Sequence, residues 1–184
     1  TQMSKSTIII VIFVVLGFLG INSLFTMNEK QQGLVLQFGE PKRVIKDSGL
    51  HVKLPIIQNT VKYDKRILEY DLPVEEVIAV DKKRMLLDSF TRFKITDPLE
   101  FYKTVGNESN VRNRLNSNVI SSLRRVVGRV TLDELLSEER SKIMEDIKLE
   151  VNNEASRFGI EIVDVRIRRA DLPEANSQAI YERM

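Results

Sequence analysis

The chain has 184 residues, 28 of them basic and 26 acidic, which leaves room for one or two small domains. A net charge of +2 argues against nucleic acid as the main partner, because such binders carry a clear basic excess. With no cysteine, disulfides and thiolate metal sites are excluded, and a reducing or an oxidising compartment fits equally.

From Ser6 to Asn28 there is no charge for 23 residues, and the centre of the run reads IIIVIFVVLGFLGI. As a helix this stretch measures ~34 Å, enough for a hydrocarbon layer of ~30 Å. Its fourteen Ile, Val, Leu and Phe residues outweigh the cost of Asn22 on an insertion scale. We therefore expect a single membrane span over residues 7–27, with Ile8, Val11, Phe13, Leu16, Phe18, Leu19, Ile21 and Leu24 in contact with lipid. A cleaved signal peptide is one rival, but no small-x-small cleavage site follows the run. A buried core helix is the other. Lys5 and the amino terminus flank one side, while Glu29 and Lys30 cancel on the other, which tilts the amino terminus toward the cytoplasm. Thr1 and Gln2 precede the first methionine and are either native or added.

Between Gly33 and Lys94 the pattern is one of strands and turns. GLVLQFG is a short apolar run between glycines, and turns fall at Asp47–Gly49 and at Pro55. TVKYDKRILEYDLPVEEVIAV and RMLLDSFTRFKI supply β-branched and aromatic residues. In the second, Leu87, Ser89, Thr91 and Phe93 share one face and Leu86, Asp88, Phe90, Arg92 and Lys94 the other, so both faces are expected to be partly buried. The expectation is one antiparallel sheet of about four or five strands. The turn LPII, with Leu54, Ile56 and Ile57 around Pro55, is either packed into the domain's own core or set against a membrane or a neighbouring subunit.

Asp97 and Pro98 signal a helix start, with aspartate as N-cap and proline in the first turn. Val111, Leu115, Val119, Ile120, Leu123, Val126 and Val127 follow at helical spacing. A second helix after Ser137 carries the stripe Ile143, Ile147, Val151, Ala155 and Phe158, and Gly159 is its natural stop. Next, Ile160 and Ile162 have one parity, whereas Val163, Val165 and Ile167 have the other. Either both faces of this strand are covered, or a bulge lies near Ile162 and Val163. Arg166 and Arg168 should then point away from the core. Asp171 and Pro173 should open a last helix with Leu172, Ala175, Ala179, Ile180 and Met184 on one stripe. No stop signal follows, so residues 172–184 read as the start of a longer helix.

Catalytic chemistry is hard to assemble from these residues. His51 is the single histidine and has no second histidine with which to form a ligand pair. The serines lack a recognisable base, and the scattered glycines form no phosphate loop. Glu138, Glu139, Glu145 and Asp146 read as a solvated helix face. Arg124, Arg125 and Arg129 read either as a solvated helix end or as a contact for an acidic neighbour or lipid headgroups. No catalytic, cofactor-binding or metal-ligating residue is assigned, and no cofactor is expected.

The ending GIEIVDVRIRRADLPEANSQAIYERM resembles the close of the SPFH domain, the stomatin/prohibitin/flotillin or band 7 family. GLVLQFGEPKRVIKDSGLHVKLPIIQNTVKYDKR, DSFTRFKITDPLEFY and RRVVGRVTLDELLSEER agree in the expected order. The VDVRI, LP and AIYERM elements favour the bacterial branch that modulates the FtsH protease over the stomatins. The resemblance implies an α+β SPFH domain over residues 29–171 after one transmembrane helix. It also implies a non-catalytic scaffold of the bacterial inner membrane with its soluble domain in the periplasm. Implied partners are an HflK-type SPFH subunit, in a hetero-oligomer, and FtsH, whose access to substrates the assembly would restrict. The helix whose Ala179, Ile180 and Met184 face begins in this chain would pack beside neighbouring subunits. Two other readings stay open: a membrane-associated peptidase, which a serine-hydrolase probe would label, and a homo-oligomeric organiser of membrane domains.

Overall fold

The chain divides into two compact units, Thr1–Lys65 and Arg66–Met184, and residues 5–173 are described in this computed structural model. The first unit begins with helix α1, Lys5–Ser23. No residue from Ser6 to Ser23 is buried, which removes the core-helix reading of the apolar run. The helix is shorter than expected. Leu24–Met27 forms strand β1, which pairs antiparallel with β4, Gly49–Val52, in the register Leu24↔Val52 to Met27↔Gly49. Leu24 is thus a strand residue and not part of the helical span. The reason is tertiary: Met27 is needed in the core, where it packs with Val35 and Ile45 and is flanked by Phe25.

Strands β2 (Gln31–Gln37), β3 (Glu40–Ile45) and β5 (Gln58–Asp64) form a second, three-stranded sheet with β2 in the centre. Gly33 in β2 is a packing glycine, since a Cβ there would lie 2.6 Å from the Val61 carbonyl oxygen and 2.8 Å from the Met27 methyl carbon. A bulge between Val35 and Leu36 offsets the pairing with β3, so that Val35 faces Arg43 and Leu36 faces Pro41.

In the second unit, β8 (Arg84–Ile95) is the central strand. Strands β6 (Leu68–Asp71) and β7 (Glu75–Ile78) pair with its two halves, and β9 (Ile160–Asp171) pairs along its length. The single sheet expected from sequence is therefore replaced, among the described residues, by three sheets spread over two units. The faces of β8 also differ from expectation. Met85, Leu87, Ser89, Thr91, Phe93 and Ile95 are all buried, and the opposite face is partly or fully exposed. Thr91 is tolerated in that core because its hydroxyl donates to the Asp164 carbonyl of β9 at 3.2 Å.

The β9 pairing shifts register between Arg92 and Phe93, where Val163 is the extra residue. This bulge lets Ile160 and Ile162 and then Val165 and Ile167 reach the same core despite their opposite parity, the second of the two arrangements the sequence left open. Arg166 and Arg168 point outward and are exposed, also as expected. A second shift, with Arg168 as the extra residue, had no signal in the hydrophobic pattern.

The helices of the second unit cover the buried face. Helix α2 (Pro98–Thr104) starts on Asp97, whose carboxylate accepts from the backbone N–H of Leu99 and Glu100. Helix α3 (Glu108–Val127) is capped by Asn107 and buries Val111, Leu115, Val119, Leu123 and Val127. A short helix α4 (Leu132–Leu136) opens on a capping box between Thr131 and Glu134. Helix α5 (Arg140–Ala155) buries Ile143, Ile147, Val151 and Ala155, and it ends through a 3-10 turn at Gly159. Two side chains of α5 also protect the β9 edge: Asn152 accepts from the Ile162 N–H at 2.9 Å, and Arg140 donates to the Ile167 carbonyl. The helix expected from Leu172 onward, with Ala175, Ala179, Ile180 and Met184, lies beyond residue 173, outside the described residues.

Candidate membrane-contact site

Helix α1 carries its apolar residues on every side. Ile8, Val11, Phe13, Leu16, Phe18 and Ile21 are all exposed, Phe13 and Ile21 by more than three quarters of their surface. A helix that is apolar all round without protein cover needs a nonpolar solvent. At 19 residues it measures ~28 Å, within the range that crosses a bilayer. Asn22, the polar residue near its end, donates to the Phe18 carbonyl at 2.8 Å and so lowers its own desolvation cost.

The end of α1 is fixed. Ser23 Oγ donates to the Lys53 carbonyl at 2.5 Å, and the Lys53 N–H donates to the Ser23 carbonyl at 2.8 Å. This clamp sets the turn after Lys53 beside the last turns of the helix. Leu16, Leu19 and Gly20 on one side and Leu54, Pro55, Ile56 and Ile57 on the other line an open groove of about 550 Å³. The LPII turn does not pack into the core: Leu54 is 54% exposed and Ile56 is 90% exposed. Ile56 also holds φ of +77°, a conformation that a β-branched residue rarely adopts. The turn is closed by reciprocal bonds, in which Leu54 N–H donates to Gln58 Oε1 and Gln58 N–H donates to the Leu54 carbonyl. Phe38, at the β2–β3 hairpin tip, is 81% exposed and donates its N–H to the Ile57 carbonyl. Sequence reasoning missed Phe38 because its neighbour on this surface is 19 residues away.

The other candidate positions are spent on structure. His51 bonds through Nε2 with the Asp47 carbonyl at 2.9 Å and lies over the Phe25 ring, so no nucleophile or carboxylate is paired with it. No group of three or more metal-binding side chains occurs among the described residues. Arg124 pairs with Glu75 at 2.9 Å and Arg125 pairs with Glu150, which occupies two of the three cations considered for an external contact. Glu145 pairs with Lys148 on the solvated face of α5. Asp81 and Lys83 close the β7–β8 turn at 3.1 Å. Desolvation works against the Asp81 charge, but the hydrogen bonds and field of Lys83 prevail and hold its carboxyl below the usual range.

Residues 25–184 match the SPFH domain / Band 7 family. Protein HflC of Haemophilus influenzae is 31% identical over 185 residues, covering 95% of this chain and 62% of the relative. Protein HflC of Buchnera aphidicola from Schizaphis graminum is 29% identical over 99% of the chain and 66% of its own length. Modulator of FtsH protease HflC from Escherichia coli K12 is 25% identical over 98% of the chain and 67% of its own length. The chain thus spans a little under two thirds of the first of these relatives. On the family match over most of its length and the mixed architecture of helices and antiparallel sheets, the chain belongs to the SPFH domain / Band 7 family.

Proposed function

We propose that this chain is the membrane-anchored SPFH portion of a non-catalytic scaffold that modulates an FtsH-type membrane protease. The observation that carries the reading is the joining, one residue apart, of an exposed apolar helix to an SPFH domain, in a chain similar to a protein named as a modulator of FtsH. The anchor is retained, a reading supported by the lack of a small-x-small cleavage site after the apolar run. The helix lies across the bacterial inner membrane with the soluble units in the periplasm, a direction supported by Lys5 before the helix against the cancelling Glu29 and Lys30 after it. The LPII turn rests on the bilayer surface beside the helix exit, supported by the exposure of Leu54, Ile56 and Ile57.

With an HflK-type subunit, the chain builds a hetero-oligomer that restricts lateral access of substrates to the protease. This mechanism is steric and needs no catalytic residue. It is tested by following degradation of a membrane substrate by the protease, reconstituted with and without the two SPFH subunits. A changed rate for the membrane substrate, with an unchanged rate for a small soluble peptide, is expected. Equal rates for the membrane substrate in both preparations would end the proposal.

A further inference from the structure

The groove beside α1 shares Leu54 with a second groove. Val35, Lys42, Arg43, Val52, Lys53 and Leu54 line an open groove of about 320 Å³, with Gln58 at its margin. Leu54 lines both grooves, and the exposed lining of the second is also mainly apolar, with Lys42, Arg43 and Lys53 among its residues. Three cations and no carboxylate line the second groove.

The three cations are available to different degrees. Arg43 is oriented by one bond, from Nη2 to the Val52 carbonyl at 2.6 Å, and its other N–H groups remain for a ligand. Lys42 meets Glu40 at 3.4 Å, but both side chains are at least half exposed, so the pair is weak and yields readily to a phosphate. Lys53 is half-buried and lines the groove. Its backbone is clamped to Ser23, the last residue of the apolar helix. With α1 across the hydrocarbon, Lys53 is held where lipid headgroups lie, and its stem can run along apolar surface toward them.

We propose that this composite groove binds an anionic glycerophospholipid. The phosphate sits between Lys53, Arg43 and Lys42, and an acyl chain runs over Leu54 and along Leu16 and Leu19. The proposal rests on α1 being a membrane span. Its composition distinguishes it from a protein-docking face: three cations and no carboxylate stand among the residues of a mainly apolar groove, a phospholipid's complement.

The test uses the whole chain in vesicles. Flotation with pure phosphatidylcholine and with a phosphatidylcholine/phosphatidylglycerol mixture is scored first and reports on the anchor alone. A fluorescent phosphatidylglycerol is then titrated into nanodiscs of phosphatidylcholine holding the protein. Lys42→Gln and Lys53→Gln should each weaken its binding about five-fold, and together roughly 25-fold, while flotation is retained. Lys46→Gln, one residue past the opposite end of β3, removes the same charge and should leave binding unchanged. Equal loss in that control, no loss in the double variant, or equal binding of a fluorescent phosphatidylcholine would overturn the proposal. So would full competition by millimolar inorganic phosphate, which would make this a free-phosphate site. Failure to float with either vesicle would defeat the membrane reading itself, and the lipid site with it.

Discussion

Gly159 stands at φ of +69°, and a Cβ there would lie 2.3 Å from the Asp97 carbonyl oxygen and 3.0 Å from the Phe101 nitrogen. Its own carbonyl accepts from Thr96 and Asp97 N–H, so the turn joins α5, β9 and the start of α2. Gly159→Ala combines left-handed strain with a clash against backbone, and should cost about 2–4 kcal/mol, read as a lowered urea midpoint. Ile56 presents the opposite case. It is the most exposed side chain of its turn and touches no core, so changing Ile56 and Ile57 to serine should leave the unfolding midpoint nearly unchanged. The same double variant should bind phosphatidylcholine vesicles more weakly in a background where Ile12 and Phe13 are replaced by Asp to disable the helix. A marked loss of thermal stability would instead place the turn in the core.

The elements show where local chemistry is legible. Asp97, Pro98, Gly159 and the bulge at Val163 could be read from a few adjacent residues, because caps, stops and parity are local. Deleting Val163 should exchange the faces of Ile160 and Ile162 with that of Glu161 and destabilise the second unit by more than 4 kcal/mol, as several core side chains are lost together. Circular dichroism melting would check it. A stable deletion variant would show that β9 can slip without cost.

The strand assignment of Leu24–Met27 was not legible, because its partner is residues 49–52 and the helical pattern before it runs on without a break. Nor was the burial of Ser89 and Thr91, since the carbonyl that satisfies Thr91 belongs to Asp164, 73 residues away. The contact site divides the same way. The LPII turn was apparent from composition, whereas Phe38 and Arg43 reach it only through the pairing of distant strands.

At the scale of the molecule, the apolar helix opens the first of two compact units, and the family match, from residue 25 on, reaches into both. The face formed by Ala179, Ile180 and Met184 lies outside the described residues, and we propose it as the base of an assembly helix. A protein extended to the length of its relatives should form a large, defined particle with an HflK-type subunit, while the chain ending at Met184 should not. Light scattering on each, co-expressed with the partner, checks this; full-size particles from the shorter chain would remove the assembly role from the added length. The central claim is membership of a membrane-protease complex, and the most direct test is affinity purification of the full-length protein from native membranes in mild detergent, followed by mass spectrometry. The account predicts recovery of an FtsH-type protease together with a second SPFH subunit at comparable abundance. Recovery of this protein alone, or only with copies of itself, would contradict it.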